Sequence, residues 1–176
     1  MGGALGNDLL KARGLPFGLS LISDAPVPED IAGEPRLLTP TDAVLEDEEG
    51  GTRTGLVVDV RAGERIVDIG PHTAMLWAQK ISAAPFVVWS GPMGMYEKGH
   101  GDGTDALARA IAKGPRAIVG GGDTVAALQK SDLGKPALRS HLEKSGRIFV
   151  STGGGAMLQF LARGTLPGVD ALTGTR

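Results

Sequence analysis

Two short stretches hold residue types suited to phosphate chemistry. Gly120-Gly121-Gly122-Asp123-Thr124 and, further along, Ser151-Thr152-Gly153-Gly154-Gly155 each stand between a β-rich apolar run and a helix-like segment. Glycine loses more backbone freedom on folding than any other residue, so a triple glycine is costly unless the position needs it. A helix that starts beyond the carboxyl end of a parallel strand presents unpaired N–H groups and the positive end of its dipole. Without a Cβ, the backbone there can approach a phosphate closely. Two such junctions on one sheet edge amount to two anion cradles; the plainer alternative is tight turns and close helix–strand packing. Asp123 with Thr124 adds an acid and a hydroxyl at one helix start. Asp123 suits a plain N-cap, and it equally suits a Mg²⁺ ion shared with nucleotide phosphates.

A third strand end, "VVWSGPMGMYEKG" (residues 87–99), carries Ser90, Gly91, Pro92, Met93, Met95, Tyr96 and then Glu97. Apolar side chains followed by one carboxylate suit a flat base and a ribose diol; a packed loop with a solvated acid is the other reading. Several chemistries lack their residues. There is no G-x-x-x-x-G-K-[ST], and both G-x-G matches lack the third glycine and the distal acid of the dinucleotide fingerprint. Ser151 has no nucleophile elbow. His72, His100 and His141 have no metal-ligand spacing and are expected at the surface, whereas Trp77 and Trp89 are expected in the core. The absence of cysteine excludes disulfides, thiolate zinc sites and thiol catalysis.

The elements that must position these residues follow from periodicity. "GGALGNDLLKARG" predicts a glycine turn opening a short helix, closed at Gly14. Residues 22–35, rich in Pro and Asp, predict a loop. A β excursion is expected around residues 36–68, with "EDEEGG" (residues 46–51) as a solvated hairpin end rather than a metal site. From Pro71 onward the pattern alternates regularly. It runs helix "PHTAMLWAQKIS", strand "PFVVWS", helix "GTDALARAIAKG" starting near Thr104 or Asp105, strand "RAIVG", helix "DTVAALQK", helix "KPALRSHLEKSG", strand "RIFVS" and helix "GGAMLQFLARG". Such alternation predicts βαβ units, hence an α/β fold with a parallel sheet flanked by helices. The continuous apolar run 86–89 predicts a strand buried on both faces. The last residues, "LPGVDALTGTR", are expected to trail off.

The chain has 176 residues, 41% hydrophobic and 22% charged, which allows one domain with a real core. A net charge of −2 argues against a broad footprint for nucleic acid or an anionic membrane. No apolar run approaches the roughly 20 residues of a membrane span. The first residues lack the layout of a signal peptide, so a cytoplasmic protein is expected. The opening glycine turn has no strand before it, and the chain is therefore expected to lack its beginning.

"VVWSGPMGMYE", "IVGGGDTVAAL" and "VSTGGGAMLQFLARGTLPGVDAL" resemble, in that order, three blocks of the phosphoglycerate kinase family, and "DIGPHT" (residues 68–73) and "GGALGNDLLKARG" (residues 2–14) resemble further segments of it. The resemblance implies a Rossmann-like nucleotide lobe, present over residues 1–176 as a partial C-terminal domain without the glycerate-binding lobe. It implies a glycolytic kinase moving a phosphoryl group between 1,3-bisphosphoglycerate and ADP, to give 3-phosphoglycerate and Mg-ATP. Carried over residue by residue, Gly121, Gly122, Asp123 and Thr124 resemble the nucleotide-phosphate and Mg²⁺ site, with Asp123 as the metal residue. Glu97 resembles the ribose partner, Gly2 and Gly3 the adenine-side glycines, and Ser90, Gly91 and Pro92 the adjoining nucleotide strand end. Gly122 together with Thr152, Gly153 and Gly154 resembles the backbone that faces the phosphoryl group in flight. Transfer of this kind needs positioning and charge stabilisation more than a nucleophile, which suits a site built from amides.

The chain departs from the family in three places. The glycerate lobe and the lysine-bearing glycine loop have no counterpart, Ser90 stands where the family usually has asparagine, and residues 130–146 differ from the usual linker. The implied partners are ADP/ATP with Mg²⁺, and the phosphoglycerates if the missing lobe is supplied. A monomer with little kinase activity of its own is expected; the alternative is a non-catalytic nucleotide-binding module.

Overall fold

In the computed structural model of the chain, residues 1–130 and 146–174 are described. The first helix, α1 (Gly3–Ala12), buries residues 6–10 and fixes the segment that follows it. Asn7 Nδ2 donates to Leu21 O, and the Asp8 carboxylate accepts from both the N–H and the hydroxyl of Ser23. The Pro- and Asp-rich passage expected as loop contains one helical turn, α2 (Glu29–Ala32), which opens directly after Pro28. Arg13 closes over it, donating to the carbonyls of Ala32, Glu34 and Leu37.

Three strands follow, of which only the second alternates cleanly between exposed and half-buried residues in the two-residue period, while the third is buried on both faces. β1 (Asp42–Glu46), β2 (Thr52–Leu56) and β3 (Arg65–Ile69) form an antiparallel sheet in the order β2-β1-β3. The hairpin end between β1 and β2 is built by Asp47, whose carboxylate accepts from the N–H groups of Glu49 and Gly51. This sheet has its own core, in which Leu10 of α1 meets Ala43, Leu45, Val57, Val60 and Ile66. Burying each large aliphatic side chain there contributes about 1.5–3 kcal/mol.

Glu64, just before β3, is buried and grips Arg53 of β2 through two hydrogen bonds, at 2.6 and 2.7 Å. The Arg53 guanidinium and then the Arg61 N–H hold the Glu64 carboxyl down to about 2. A carboxyl depressed on folding contributes stability that is present above its unfolded value and lost as pH falls through its folded one. Glu64→Gln should therefore lower the urea midpoint at pH 7, and the gap from the parent chain should narrow as pH falls from about 4.5 towards 2. A gap that stays constant over that range would contradict this assignment.

The second half forms the βαβ units as expected. α3 (Pro71–Ala83) starts with proline in its first turn, and β4 (Phe86–Ser90) follows. The Asp42 carboxylate accepts from the N–H groups of His72 and Thr73 and from the Thr73 hydroxyl, capping α3 from a neighbouring strand. Burial opposes ionisation of Asp42, but these bonds outweigh it and hold the carboxyl below its usual range. Next come α4 (Asp102–Lys113), β5 (Arg116–Gly120), α5 (Gly122–Lys130), β6 (Ile148–Ser151), α6 (Gly154–Arg163) and α7 (Pro167–Thr173). β4, β5 and β6 pair in parallel, in that order. One face packs against α3, α4 and α5 around Trp89, Leu107, Ile111, Val119, Leu128 and Ile148, while Trp77 packs at the margin.

Three expectations need correction. The run 86–89 is not buried on both faces. Val87 and Trp89 point into the core, but Phe86 and Val88 are 50% and 43% exposed, as is Phe149 of β6 at 65%. Strand side chains alternate between faces, and the register aligns Val88, Ile118 and Phe149 in one row across the uncovered face. The chain end does not simply trail off, because residues 167–173 form α7. His100, expected at the surface, is half-buried and pairs with Glu46, whereas Thr104 and Asp105 stand in the first turn of α4 as expected, and the Thr104 hydroxyl has a further use, described below. The helix expected over residues 135–146 and the placement of His141 lie outside the described residues, apart from Gly146.

Candidate functional site

The chain between Ser90 and Gly101 is a loop held at several points. Trp89 Nε1 donates to Gly91 O at 2.7 Å, so this core residue also sets the strand end. The Gly91 N–H donates to the Thr124 hydroxyl at 2.6 Å, and the Met93 N–H donates to the buried Thr104 hydroxyl at 2.9 Å. The Met95 N–H donates to Val67 O at 2.8 Å, pinning the loop to β3. The start of α1 closes the other side. The Gly3 N–H donates to Met93 O at 3.2 Å, and Gly3 has φ +59°. A Cβ at Gly3 would meet Pro92 O at 2.8 Å, and one at Gly2 would meet Met93 Sδ at 2.7 Å. Glycine is required at Gly3, where the neighbour is backbone and φ is positive, whereas at Gly2 a side chain would have to displace the end of Met93.

Between these two walls lies a cavity of about 370 Å³, within the range of small-molecule sites. Gly2, Gly3, Ala4, Leu5, Leu21, Ile66, Val67, Met93 and Met95 give it apolar walls. Ser90, Gly91, Glu97 and Asp123 bring polar groups to the same cavity. Desolvation, then the charges of Glu97 and Asp123, push the Tyr96 phenol up from its ordinary value, as expected if both carboxylates share one rim.

The two glycine junctions converge beside this rim. The Gly121 N–H donates to Ser151 O at 3.1 Å, joining the ends of β5 and β6. A Cβ on Gly154 would stand 3.0 Å from Gly121 Cα and 3.8 Å from Ser90 Oγ, so three strand ends meet with almost nothing between them. Helix geometry leaves the first-turn N–H groups of α5 and α6 without intrahelical acceptors. Among the described residues no cluster of three or more His, Asp or Glu side chains has metal-binding spacing. A divalent cation here would rest on the exposed Asp123 carboxylate plus ligand oxygens, the way Mg²⁺ is commonly held.

Of the residues singled out in the sequence, Gly2, Gly3, Ser90, Gly91, Pro92, Glu97 and Asp123 line the cavity. Gly121 and Gly154 adjoin it through Ser90, and Thr152 lies exposed beside the α6 start. The Thr124 hydroxyl is fully buried and holds Gly91, so this side chain serves the loop. Leu5, Leu21, Ile66 and Val67 line the cavity without having been singled out. No motif marks them, because they are ordinary apolar residues brought in by α1, by the segment after it and by β3.

Comparison with known proteins bears on the family and the fold. The family model described as phosphoglycerate kinase matches residues 1–163. A phosphoglycerate kinase of Solibacter usitatus is 42% identical over 179 residues, covering 98% of this chain and 43% of the relative. One from Moorella thermoacetica is 40% identical over 186 residues, with 98% and 44% covered. Among solved structures, phosphoglycerate kinase from Coxiella burnetii superposes with a TM-score of 0.75 at 35% identity, and that from Pyrococcus horikoshii OT3 with 0.74 at 27%. Each structural match covers 98% of this chain and 44% of the other. The chain thus spans less than half the length of the relatives it matches.

Proposed function

Because the chain belongs to the phosphoglycerate kinase family, we propose that its cavity and glycine junctions form the Mg-ADP/ATP side of phosphoryl transfer between 1,3-bisphosphoglycerate and ADP. One observation carries this reading: a single cavity gathers Gly2 and Gly3, Glu97 and Asp123 from three distant parts of the chain, with both glycine junctions beside it. The adenine fits between the α1 start and Met93–Met95, and Glu97 accepts hydrogen bonds from the ribose hydroxyls. The phosphates then run towards the first-turn amides of α5 and α6. Asp123 would hold a Mg²⁺ ion, which would supply charge neutralisation on the nucleotide. The amides of Gly122, Thr152 and Gly154 supply donors for the phosphoryl oxygens, joined by that of Gly153 once it leaves the Ser151 hydroxyl it meets at 3.2 Å; donors held in place in this way stabilise developing charge. The phosphoryl group leaves the acyl oxygen of one substrate for the terminal phosphate oxygen of ADP, with no covalent enzyme intermediate.

The 176-residue chain alone is expected to bind nucleotide and to turn over little, as a cytoplasmic glycolytic kinase represented by its nucleotide side. A second reading, a nucleotide-binding module without catalysis, draws on the same cavity. Calorimetric titration of Mg-ADP into the folded chain tests what the two share. Saturable one-site binding supports it, and a folded chain giving no binding heat overturns it. Formation of ATP from 1,3-bisphosphoglycerate separates the two.

A further inference from the structure

Asp68 is 1% exposed, sits on β3 between the two hydrophobic cores, and lines no part of the cavity. Its Oδ2 accepts from the Gly103 N–H at 2.9 Å, in the first turn of α4, and its Oδ1 accepts from the Ile69 N–H at 2.8 Å. Two glycines make room for the carboxylate. A Cβ on Gly94 would fall 2.5 Å from Asp68 Cγ, and one on Gly103 would fall 2.6 Å from Asp68 Oδ1. Gly94 lies in the loop that walls the cavity. Gly103 precedes Thr104, whose hydroxyl takes the Met93 N–H. The carboxylate therefore touches the loop directly at Gly94 and indirectly through Gly103 and Thr104, and both routes end on Met93 and Met95.

We propose that Asp68 is a positioning residue for the nucleoside end of the cavity: its ionised carboxylate sets where Met93 to Met95 stand, and so sets the affinity for adenosine. This proposal rests on the nucleotide reading above. Both N–H bonds need acceptor oxygens. Protonation makes one oxygen a hydroxyl, a poorer acceptor, which loosens the hold on Gly103 and so on Thr104, the residue that anchors Met93. Burial pushes the carboxyl up to about 6, against the pull of the Gly103 and Ile69 amides, and the charge of Asp102 adds to the rise. His100 faces the same carboxylate from the loop and pairs with Glu46 of β1 at 3.2 Å, and Arg65 of β3 stands beyond it.

The test uses adenosine rather than ADP, because adenosine carries no phosphate that titrates in this range. Binding to the 176-residue chain is followed by NMR from pH 8 to pH 5, for the parent chain, Asp68→Asn and His100→Gln. In the parent and in His100→Gln, affinity should fall at least about fivefold as pH drops through 6. Asp68→Asn should bind more weakly at pH 8 and show no such fall. A pH-independent parent, or an Asp68→Asn chain with the parent's profile, overturns the proposal. If Asp68→Asn does not fold, the parent and His100→Gln profiles decide: a fall kept in His100→Gln supports Asp68, and one abolished there overturns it. Absence of adenosine binding at every pH sinks the nucleotide reading instead. The positioning role is then judged in the free chain, where the Gly103, Met93 and Met95 amide signals should titrate together; independent or flat titrations overturn it.

Discussion

Replacing Asp123 with alanine should weaken ADP binding in the presence of Mg²⁺ by about 10- to 100-fold, equivalent to about 1.4–2.8 kcal/mol, and leave adenosine affinity within about twofold. The reason lies in what Asp123 has around it. It is exposed at the first turn of α5, beside the meeting point of three strand ends, and no cluster of acidic or histidine side chains among the described residues stands ready to replace it. A Mg²⁺ ion that bridges this carboxylate to phosphate oxygens loses one of its few protein contacts in the variant. Calorimetry with and without EDTA separates the two uses that the sequence left open. The N-cap expected of Asp123 is corrected by the structure, since α5 starts at Gly122 and Asp123 lies inside its first turn; if the carboxylate serves only the helix dipole there, the variant loses a little stability but keeps the parent's response to EDTA. Equal losses for ADP and adenosine would also sink the metal assignment.

Gly121→Ala should cost both affinity and stability. Gly121 has φ +100°, which L side chains rarely adopt, and holding a non-glycine residue there costs about 1–3 kcal/mol. The new Cβ would lie 3.3 Å from Thr124 Oγ1 and 3.6 Å from Ser90 Oγ, crowding the hydroxyl that anchors Gly91. For a chain of this size each kcal/mol lowers Tm by about 2–4 °C. ADP affinity should fall by at least about tenfold, a loss of about 1.4 kcal/mol, because the phosphate amides and the loop shift together. Gly122→Ala provides the contrast. A Cβ there meets nothing within 4 Å, and alanine is the better residue in a helix, so Tm should hold or rise. Thermal denaturation of both variants, with calorimetry of the first, checks the pair; equal stabilities would mean that the Gly121 backbone imposes no constraint.

The order of strands and helices was legible because each βαβ unit announces itself through a change of period and a glycine at the strand end. The glycine junctions were legible for the same reason, since residue type and local spacing carry the chemistry. The antiparallel sheet was visible only as an excursion, because its strands are short and its core draws on Leu10, far off in sequence. The walls of the cavity were hidden for a related reason. Leu21 and Val67 look like any apolar residues until α1 and β3 bring them together. Asp68 stood inside a recognisable segment, yet its environment is made by Gly94 and Gly103, and burial cannot be read from a local window. The face left bare on the parallel sheet shows where a sound rule failed. A continuous apolar run predicts a strand covered on both sides, but the run itself does not say whether a second layer is present.

The exposed row of Val88, Ile118 and Phe149 bears on how the stability of the chain is measured. Exposed apolar rows of this kind mark surfaces through which copies of a chain associate. Association of the folded form alone would stabilise it by mass action, so unfolding midpoints taken over a range of protein concentrations decide. A midpoint that climbs reports association, and a constant one reports a monomer that carries the row exposed.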